Sequence, residues 1–233
     1  MDNEELSNDL RRDWTNRIGC RNMMGEETSE NLFKMLIRQY SESHRHYHNL
    51  EHVRDVLHEL GSCNESLYIS AWFHDAIYIP GCNESEELSA SLARSCCLNL
   101  GFTSDFADKV TENILATKHD GNNFTDESRL LVDADLAIFA SEHFDEYNLG
   151  IEKEYCGHMC RCGAGWEYSG CGVIVYYRGR IGVLESFLER DPIYRTEKFR
   201  KKYEKKAKEN LKNEIGNLKE NYQCLLELNH ALS

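Results

Sequence analysis

Apolar side chains recur every three to four residues along most of the chain, the spacing typical of helices that bury one face. Leu6, Leu10 and Trp14 form one such stripe near the N-terminus, and Ser29 can cap a second helix whose stripe ends at Tyr40. Only two prolines occur, which favours long helices over many short strands. Further helices are predicted near 85–100, 104–118, 126–140, 142–155, 177–190 and 195–229. The pattern predicts an all-α fold.

Two segments can be placed more closely. Asn49 can cap a helix that Gly61 ends, and the apolar positions between them are Leu50, Val53, Val56, Leu57 and Leu60. Residues 66–78 form a strongly apolar helix candidate that Pro80 and Gly81 end. No repeat or flexible linker separates the helices, so a single domain over 1–233 is predicted, and its last helix can extend from it.

Charge and cysteine content limit the kinds of partner and cellular location that we expect for this protein. The formal net charge of −13 argues against non-specific or duplex nucleic-acid binding. Between Arg195 and Lys212 the chain has nine Lys or Arg and three Glu. We interpret this basic run as a solvated helix face. No secretory signal or bilayer-spanning run is found, so no membrane partner is expected. The ten cysteines then indicate reduced thiols, with Cys96 and Cys97 as packing residues, and a cytoplasmic protein is expected.

Four short segments place metal-competent side chains in or beside apolar helices. They contain His48 and His52, the pair His74–Asp75, His119, and the pair Asp133 and Asp135. Burying an unpartnered carboxylate costs several kcal/mol, so Asp75 and Asp135 each need a cation, a metal or a network of donors. Mixed imidazoles and carboxylates suit a divalent transition metal or Mg²⁺, not a Cys-rich structural zinc. A single ion explains these buried polar residues together.

Taken together, His52, His74–Asp75 and Asp135 resemble the H…HD…D signature of the HD superfamily of metal-dependent phosphohydrolases. The likeness extends to the subfamily described as predicted metal-dependent HD phosphohydrolases and covers most of the chain. It is carried by HRHYHNLEHV (44–53), FHDAIY (73–78), EELSA (86–90), ATKH (116–119), DADLAI (133–138), GR with VLESFLER (179–190) and IYRT (193–196). The resemblance implies a single helical HD-domain bundle with its metal held among helices.

The resemblance also implies roles for the site residues. The metal ligands would be His52, His74, Asp75 and Asp135. Asp133 competes with Asp135 as the last ligand, and the Ala-Asp-Leu pattern of the superfamily favours Asp135. His119 is a further candidate, either as a ligand of a second metal ion or as a contact to phosphate. The implied cofactor is a divalent ion, Mn, Mg, Co, Fe or Zn, and Asp75 could bridge two ions if two are bound.

YHNLEHV is similar to the YHNxxHA segment of cyclic-nucleotide phosphodiesterases, in which the second histidine binds metal and the first donates a proton to the leaving oxygen. By that similarity His48 is the general acid, and Glu86 or Glu87 can orient the attacking water. Three cations are candidate contacts to the substrate phosphate, with pairing to surface carboxylates as the alternative: Arg45, Lys118 and Arg180.

The expected reaction is metal-dependent hydrolysis of a phosphoester by metal-activated water, with a nucleotide or a related small phosphorylated metabolite as substrate. Two alternatives stay open. One is a regulatory HD module that binds metal or nucleotide with little turnover. The other is a zinc-binding interaction protein acting through 156–171. The oligomeric state is left undetermined.

The chain departs from the family pattern at Ser43, Ile79 and Asp120, none of which is a proposed ligand. A larger departure is the segment CGHMCRCGAGWEYSGCGV near 156–173, with four cysteines, His158 and five glycines. Cys160 and Cys162 are too close for a CxxC zinc knuckle, and no second matched pair follows. A flexible inserted loop is therefore favoured over a structural zinc site.

Overall fold

The computed structural model describes residues 3–19, 26–119, 121, 124–161 and 171–232. Within these ranges every regular element is an α-helix or a short 3₁₀ helix and no β-strand occurs, which confirms the all-α prediction. The chain divides into two compact units, Met1–Asp135 and Leu136–Ser233. The single HD domain expected over 1–233 stays a prediction.

The described residues of the first unit are mostly helical. In chain order the helices are α1 (Asn3–Arg17), α2 (Glu26–Tyr40), α3 (Leu50–Leu60), α4 (Glu65–Phe73), α5 (Ser85–Asn99), α6 (Ser104–Leu115), the 3₁₀ helix Ala116–Lys118 and α7 (Asp126–Asp135). The apolar stripe of α1 is buried as predicted, and the Trp14 ring packs edge-on against Trp72 with centroids 5.5 Å apart. This aromatic contact joins α1 to α4 in the core.

Ser29 does not cap α2, so that prediction was wrong. The helix already begins at Glu26, and Ser29 lies inside it with 2% of its surface exposed. Its hydroxyl accepts a hydrogen bond of 3.0 Å from the Trp14 indole Nε1. A buried indole N–H needs an acceptor, and this contact between helices, not a local cap, accounts for the serine.

The start and end of α3 agree with the prediction. The Asn49 side chain accepts hydrogen bonds from the backbone N–H of Glu51 at 2.9 Å and of His52 at 3.4 Å. Gly61 follows the helix with φ of 64°, where a side chain would be strained, and its N–H donates to Leu57 O. The cap therefore fixes the first turn of the helix, which carries His52.

Helix α4 is buried on all sides from Ser66 to Phe73, as expected for a helix at the centre of a bundle. It ends at Phe73, so the helix predicted over 66–78 was too long. Two hydroxyls from α5 bind the backbone beyond it: the Ser89 Oγ bonds both N–H and C=O of Ile77, and Ser85 Oγ accepts from Ile79 N. These distant side chains replace the helical partners of that backbone.

The second unit comprises the 3₁₀ helix Leu136–Ala140, α8 (Phe144–Arg161), α9 (Cys171–Leu188) and α10 (Glu197–Leu232). Helix α10 packs against α9 and the 3₁₀ helix, where Asn210 Nδ2 donates to Phe139 O at 2.9 Å. In agreement with a solvated basic face, most cations of the run 195–212 are exposed, namely Lys198, Arg200, Lys201, Lys202, Lys205, Lys206 and Lys212.

The insertion near 156–173 is described only at its ends. Residues 156–161 belong to α8 and 171–173 to α9, so both flanking helices run further into the segment than predicted. Residues 162–170, and also Asp120, lie outside the described residues. The choice between an inserted loop and a zinc site there stays a prediction.

Two further expectations concern thiols and membranes. Burial raises the pKa of Cys96 to about 11 and that of Cys97 to about 12, so both thiols stay protonated at neutral pH, as suits packing residues. Among the described helices, none combines the length and apolarity that crossing a bilayer requires.

Candidate metal centre

Three helices of the first unit converge on one cluster of side chains. Helices α3, α4 and α7 pack against one another in pairs. His52 lies in the first turn of α3, His74 directly follows α4, and Asp135 is the last residue of α7. Because each residue stands at a helix end, helix packing alone brings the three sequence segments together.

The facing atoms of this cluster are close. His52 Nε2 lies 2.9 Å from His74 Nε2 and 3.2 Å from Asp135 Oδ1, while His74 Nε2 lies 3.7 Å from the same oxygen. Asp75 adds a second carboxylate, with Oδ2 at 3.2 Å from His74 Nε2 and 3.5 Å from His52 Nε2. Two imidazoles and two carboxylates thus point at one small region.

The tautomer of His74 follows from its backbone contact. His74 Nδ1 lies 2.9 Å from the Ala71 carbonyl oxygen, which can only accept, so Nδ1 carries the hydrogen. In the neutral ring Nε2 is then a bare lone pair, and it faces His52 Nε2. Two such nitrogens at this distance need either a proton or a cation between them. Metal-binding histidines are usually oriented in this way, by a hydrogen bond from the ring nitrogen that does not bind the metal to a backbone carbonyl.

The two halves of the cluster differ in exposure. The side chains of His52 and His74 are 2% and 1% exposed, whereas those of Asp75 and Asp135 keep 16% and 18%. The cluster is therefore open to solvent on its carboxylate side, from which a ligand can approach.

Mutual interaction shifts the pKa values of all four groups. Burial lowers the pKa of His52, but hydrogen bonds to Asp135 and Asp75 more than offset it and raise the pKa. The pKa of His74 is raised well above its ordinary value in the same way, with the charge of Asp75 as the main opposing cause to burial. Burial raises the carboxylate pKa values, yet the neighbouring histidines hold those of Asp75 and Asp135 well below the usual range. The two carboxylates therefore stay ionised, and the neighbouring imidazoles balance their charge when no ion is bound.

The donor set fits a divalent ion. Bonds of about 2.0–2.1 Å from one ion to nitrogen or oxygen separate neighbouring ligand atoms by about 2.9 Å in octahedral and about 3.4 Å in tetrahedral geometry. Several of the observed separations, from 2.9 to 3.7 Å, lie in or near this range. His52, His74 and Asp135 accordingly form a group that can hold a metal ion, and Asp75 stands beside it.

Asp135, and not Asp133, faces the histidines. Asp133 is completely buried on α7 but is not part of the metal-competent group. Two residues along a helix point to different sides, so only one of the pair can meet the cluster. The geometry therefore favours Asp135 as the carboxylate from DADLAI.

His119 reaches the cluster through Asp135. It follows the 3₁₀ helix Ala116–Lys118 in the left-handed region, with φ of 62°, an uncommon conformation for a residue with a side chain. Its Nε2 lies 3.5 Å from Asp135 Oδ2. The two oxygens of Asp135 are thus divided between the His52–His74 pair and His119.

His48 lies next to the cluster, as its spacing from His52 predicts. The two rings have centroids 5.7 Å apart, and His48 also stacks on Tyr78 at 4.1 Å. The Tyr47 ring contacts both histidines, with centroid distances of 4.9 Å to His48 and 4.7 Å to His52. Sequence reasoning did not single out these tyrosines; their only signal is adjacency to the histidine motifs in YHNLEHV and FHDAIY, because their ring partners are known only from the fold.

The two glutamates of EELSA lie in the first turn of α5 and face different neighbours. Burial is the main cause that raises the pKa of Glu86, and the negative charge of Asp75 raises it further. Glu87 is exposed and pairs with the ammonium of Lys118. Glu87 and Lys118 therefore pair with one another, whereas Glu86 is affected by the charge of Asp75.

The remaining two proposed phosphate contacts, Arg45 and Arg180, have other partners. The Arg45 side chain is 0% exposed and bonds backbone carbonyls beside the cluster, which is a poor arrangement for meeting a phosphate. Arg180 belongs to the second unit, where it donates to Asn148 at 3.0 Å and lies over the Tyr147 ring. A role for Arg180 in binding substrate stays a prediction.

Comparison with known proteins gives no relative: no family model, curated protein or solved structure matches the chain.

Proposed function

We propose that this protein is a metal-dependent phosphohydrolase of the HD superfamily. The observation that carries the proposal is the convergence of His52 Nε2, His74 Nε2 and Asp135 Oδ1, with Asp75 beside them. These are the four residues of the H…HD…D resemblance, and they come from three helices. Once deprotonated, the two imidazoles and the two carboxylates together offer the nitrogen and oxygen donors that a divalent ion binds.

The proposed roles of the protein's own residues follow from their positions. His52, His74, Asp75 and Asp135 hold the ion, and the carboxylates neutralise part of its charge. When bound, a divalent ion supplies Lewis acidity, which polarises a phosphoryl oxygen and lowers the pKa of water from about 15.7 to about 7. Two imidazoles in the set suit Mn, Fe, Co or Zn, and the carboxylates also admit Mg.

His48 is the proposed proton donor to the leaving oxygen. Its ring lies beside His52 and is held by the stack on Tyr78, so it can be fixed at one edge of the cluster. Glu86, whose pKa responds to Asp75, is the candidate for orienting the attacking water on the exposed side. The substrate class, a nucleotide or related small phosphorylated metabolite, is proposed from the resemblance.

Metal content tests the site. Purified wild-type protein should contain one to two equivalents of a divalent ion by elemental analysis, and Asp75→Ala should lose most of it. Glu87→Gln is the matched control, since it removes a nearby exposed carboxylate that faces Lys118. Full metal content in Asp75→Ala would eliminate the proposed site.

Turnover tests the activity. Phosphomonoesters, cyclic nucleotides and nucleoside triphosphates are incubated with the protein and Mn²⁺, Co²⁺ or Mg²⁺, and the products are measured as phosphate, pyrophosphate, triphosphate, nucleoside or nucleoside monophosphate. Metal-dependent hydrolysis that disappears in Asp75→Ala supports the enzyme. Metal binding without turnover of any of these substrates would instead support a regulatory module.

A further inference from the structure

Arg45 occupies a buried position beside the candidate metal centre. Its side chain has no exposed surface, and its guanidinium lies 5.1 Å from the centroid of the Tyr40 ring and 5.6 Å from that of Tyr78. An arginine is almost never buried in this way unless its donors are satisfied. Its hydrogen bonds therefore show what holds it there.

Those hydrogen bonds join two distant chain segments. Arg45 Nη1 donates to His48 O at 3.0 Å and to Asp75 O at 2.7 Å, and Nη2 donates to Ala76 O at 3.1 Å. Nε donates to Glu42 Oε2 at 3.0 Å. One rigid fork thus contacts the turn before α3 and the turn after α4 at the same time.

The carbonyl groups that Arg45 contacts lie outside the helices α3 and α4. His48 precedes α3, and Asp75 and Ala76 follow the end of α4. Buried carbonyls without a donor are costly, so the guanidinium stabilises both turns by donating to the carbonyl oxygens of His48, Asp75 and Ala76. Arg45 Nη1 donates to the carbonyl oxygens of both His48 and Asp75. This one nitrogen therefore links residues from two segments beside the cluster.

We propose that Arg45 is a positioning residue: its guanidinium fixes His48 and the His74–Asp75 turn relative to one another. The catalytic consequence rests on the proposed function, whereas the structural linkage does not. This assignment replaces a contact to substrate phosphate, because the donors point at backbone carbonyls and no part of the side chain is exposed. Lysine cannot substitute, since a single ammonium does not reproduce the planar fork.

The test compares Arg45→Lys and Arg45→Ala with Glu42→Gln. The control removes the ion pair through a carboxylate that is 41% exposed and leaves the three carbonyl contacts in place. At saturating metal, Arg45→Lys should lower kcat on the order of 10²-fold with little change in KM, the size expected when a reacting group is displaced by about 1 Å. Added guanidinium should restore part of the activity of Arg45→Ala, and Glu42→Gln should remain near wild type.

Hydrogen–deuterium exchange provides a readout that needs no substrate. In Arg45→Lys, amides of 46–52 and 73–79 should exchange faster while the rest of the first unit keeps wild-type protection. Uniform loss of protection would make Arg45 a general stability residue and overturn the proposal, as would unchanged exchange in both segments. If Arg45→Ala does not fold, Arg45→Lys carries the comparison alone.

Kinetics separate the two proposals. A large rise in KM with kcat unchanged would identify Arg45 as a substrate contact and overturn the positioning role. If the wild-type protein hydrolyses no phosphoester, the proposed function fails, yet the exchange experiment still decides whether Arg45 links the two turns.

Discussion

Single residues at the candidate centre are coupled through charge. His52 and His74 have raised pKa values because Asp75 and Asp135 stabilise their protonated forms, and the same contacts lower the carboxylate pKa values. Without metal, the cluster is therefore held by proton-mediated ion pairs. With metal, the ion takes the place of those protons, so the same residues serve both states.

The stability of the metal-free protein should fall both at alkaline and at acidic pH. A raised histidine pKa contributes stability that is complete below about 6.5, the unfolded value, and is lost as pH rises through the folded pKa. The lowered pKa values of Asp75 and Asp135 contribute stability that is complete above about 3.9 and is lost as pH falls through the folded pKa. Urea unfolding with a chelator, from acidic to alkaline pH, should show stability falling above neutrality.

A pair of variants isolates this effect. Asp135→Asn should flatten the alkaline decline, whereas His58→Gln, which changes a histidine side chain that is 81% exposed, should retain it. Equal pH profiles for wild type and Asp135→Asn would show that the cluster is not held by these ion pairs.

His48 can be tested through the leaving group of the substrate. A general acid accelerates departure of a poor leaving group by about 10²–10⁴-fold and matters little for a good one. His48→Gln should therefore slow hydrolysis of alkyl phosphoesters by that amount and leave nitrophenyl phosphoesters nearly unchanged, with metal content retained. His46→Gln, at a neighbouring exposed histidine, is the control. Equal slowing of both substrate types would contradict the assignment.

At the scale of elements, helix ends define the centre. Asn49 caps α3 three residues before His52, and Glu127 in the first turn of α7 accepts hydrogen bonds from Asn64 and Ser66 at the start of α4. The second contact ties the helix that carries Asp135 to the helix that precedes His74. The positions of the candidate ligands therefore depend on caps and on contacts between helices as much as on the ligands themselves.

Removing the cap of α3 should weaken both fold and site. Asn49→Ala should lower the free energy of unfolding by about 1 kcal/mol, within the range of about 0.5–2 kcal/mol for such caps, and should reduce metal affinity because the His52 N–H loses its acceptor. Asn49→Asp keeps the acceptor and should stay near wild type. Chemical denaturation and metal titration measure the two effects, and unchanged stability of Asn49→Ala would show that the cap is dispensable.

For the whole molecule, the metal-competent group lies entirely in the unit Met1–Asp135. The second unit is built around its own contacts, among them Tyr194 Oη donating to Leu136 O at 3.1 Å and the completely buried Leu184. Metal binding should therefore be a property of the first unit, even though the resemblance that suggested it covers most of the chain.

Metal should raise stability by mass action. At a free metal concentration about 100 times Kd, the folded protein should gain about 2.7 kcal/mol, and Asp135→Ala should gain nothing. Leu184→Ala should lose about 2–5 kcal/mol through the cavity it creates in the second unit, but keep wild-type metal stoichiometry below its melting temperature. Thermal unfolding with and without metal measures the gain in stability, and elemental analysis measures the metal stoichiometry. Loss of metal from Leu184→Ala would refute the assignment of metal binding to the first unit.

The sequence by itself determined the features that depend on residues close together in the chain. The all-α class, the Asn49 cap, the Gly61 stop and the stripe around Trp14 rest on contacts within a few residues, which spacing and residue type specify. The residue types of the candidate site were also predictable, since buried histidines and carboxylates require partners wherever the chain places them.

Only the tertiary structure decided how distant groups are used. It places Asp135 Oδ1 beside His52, pairs the Ser29 hydroxyl with the Trp14 indole and not with a helix end, and ends α4 at Phe73, beyond which hydroxyls of α5 bind the backbone. It also turned Arg45 inward onto three carbonyls. Each of these outcomes depends on which polar group contacts which partner across the core. Helical periodicity specifies the buried face of a helix, but it does not specify the residue of another element that packs against that face.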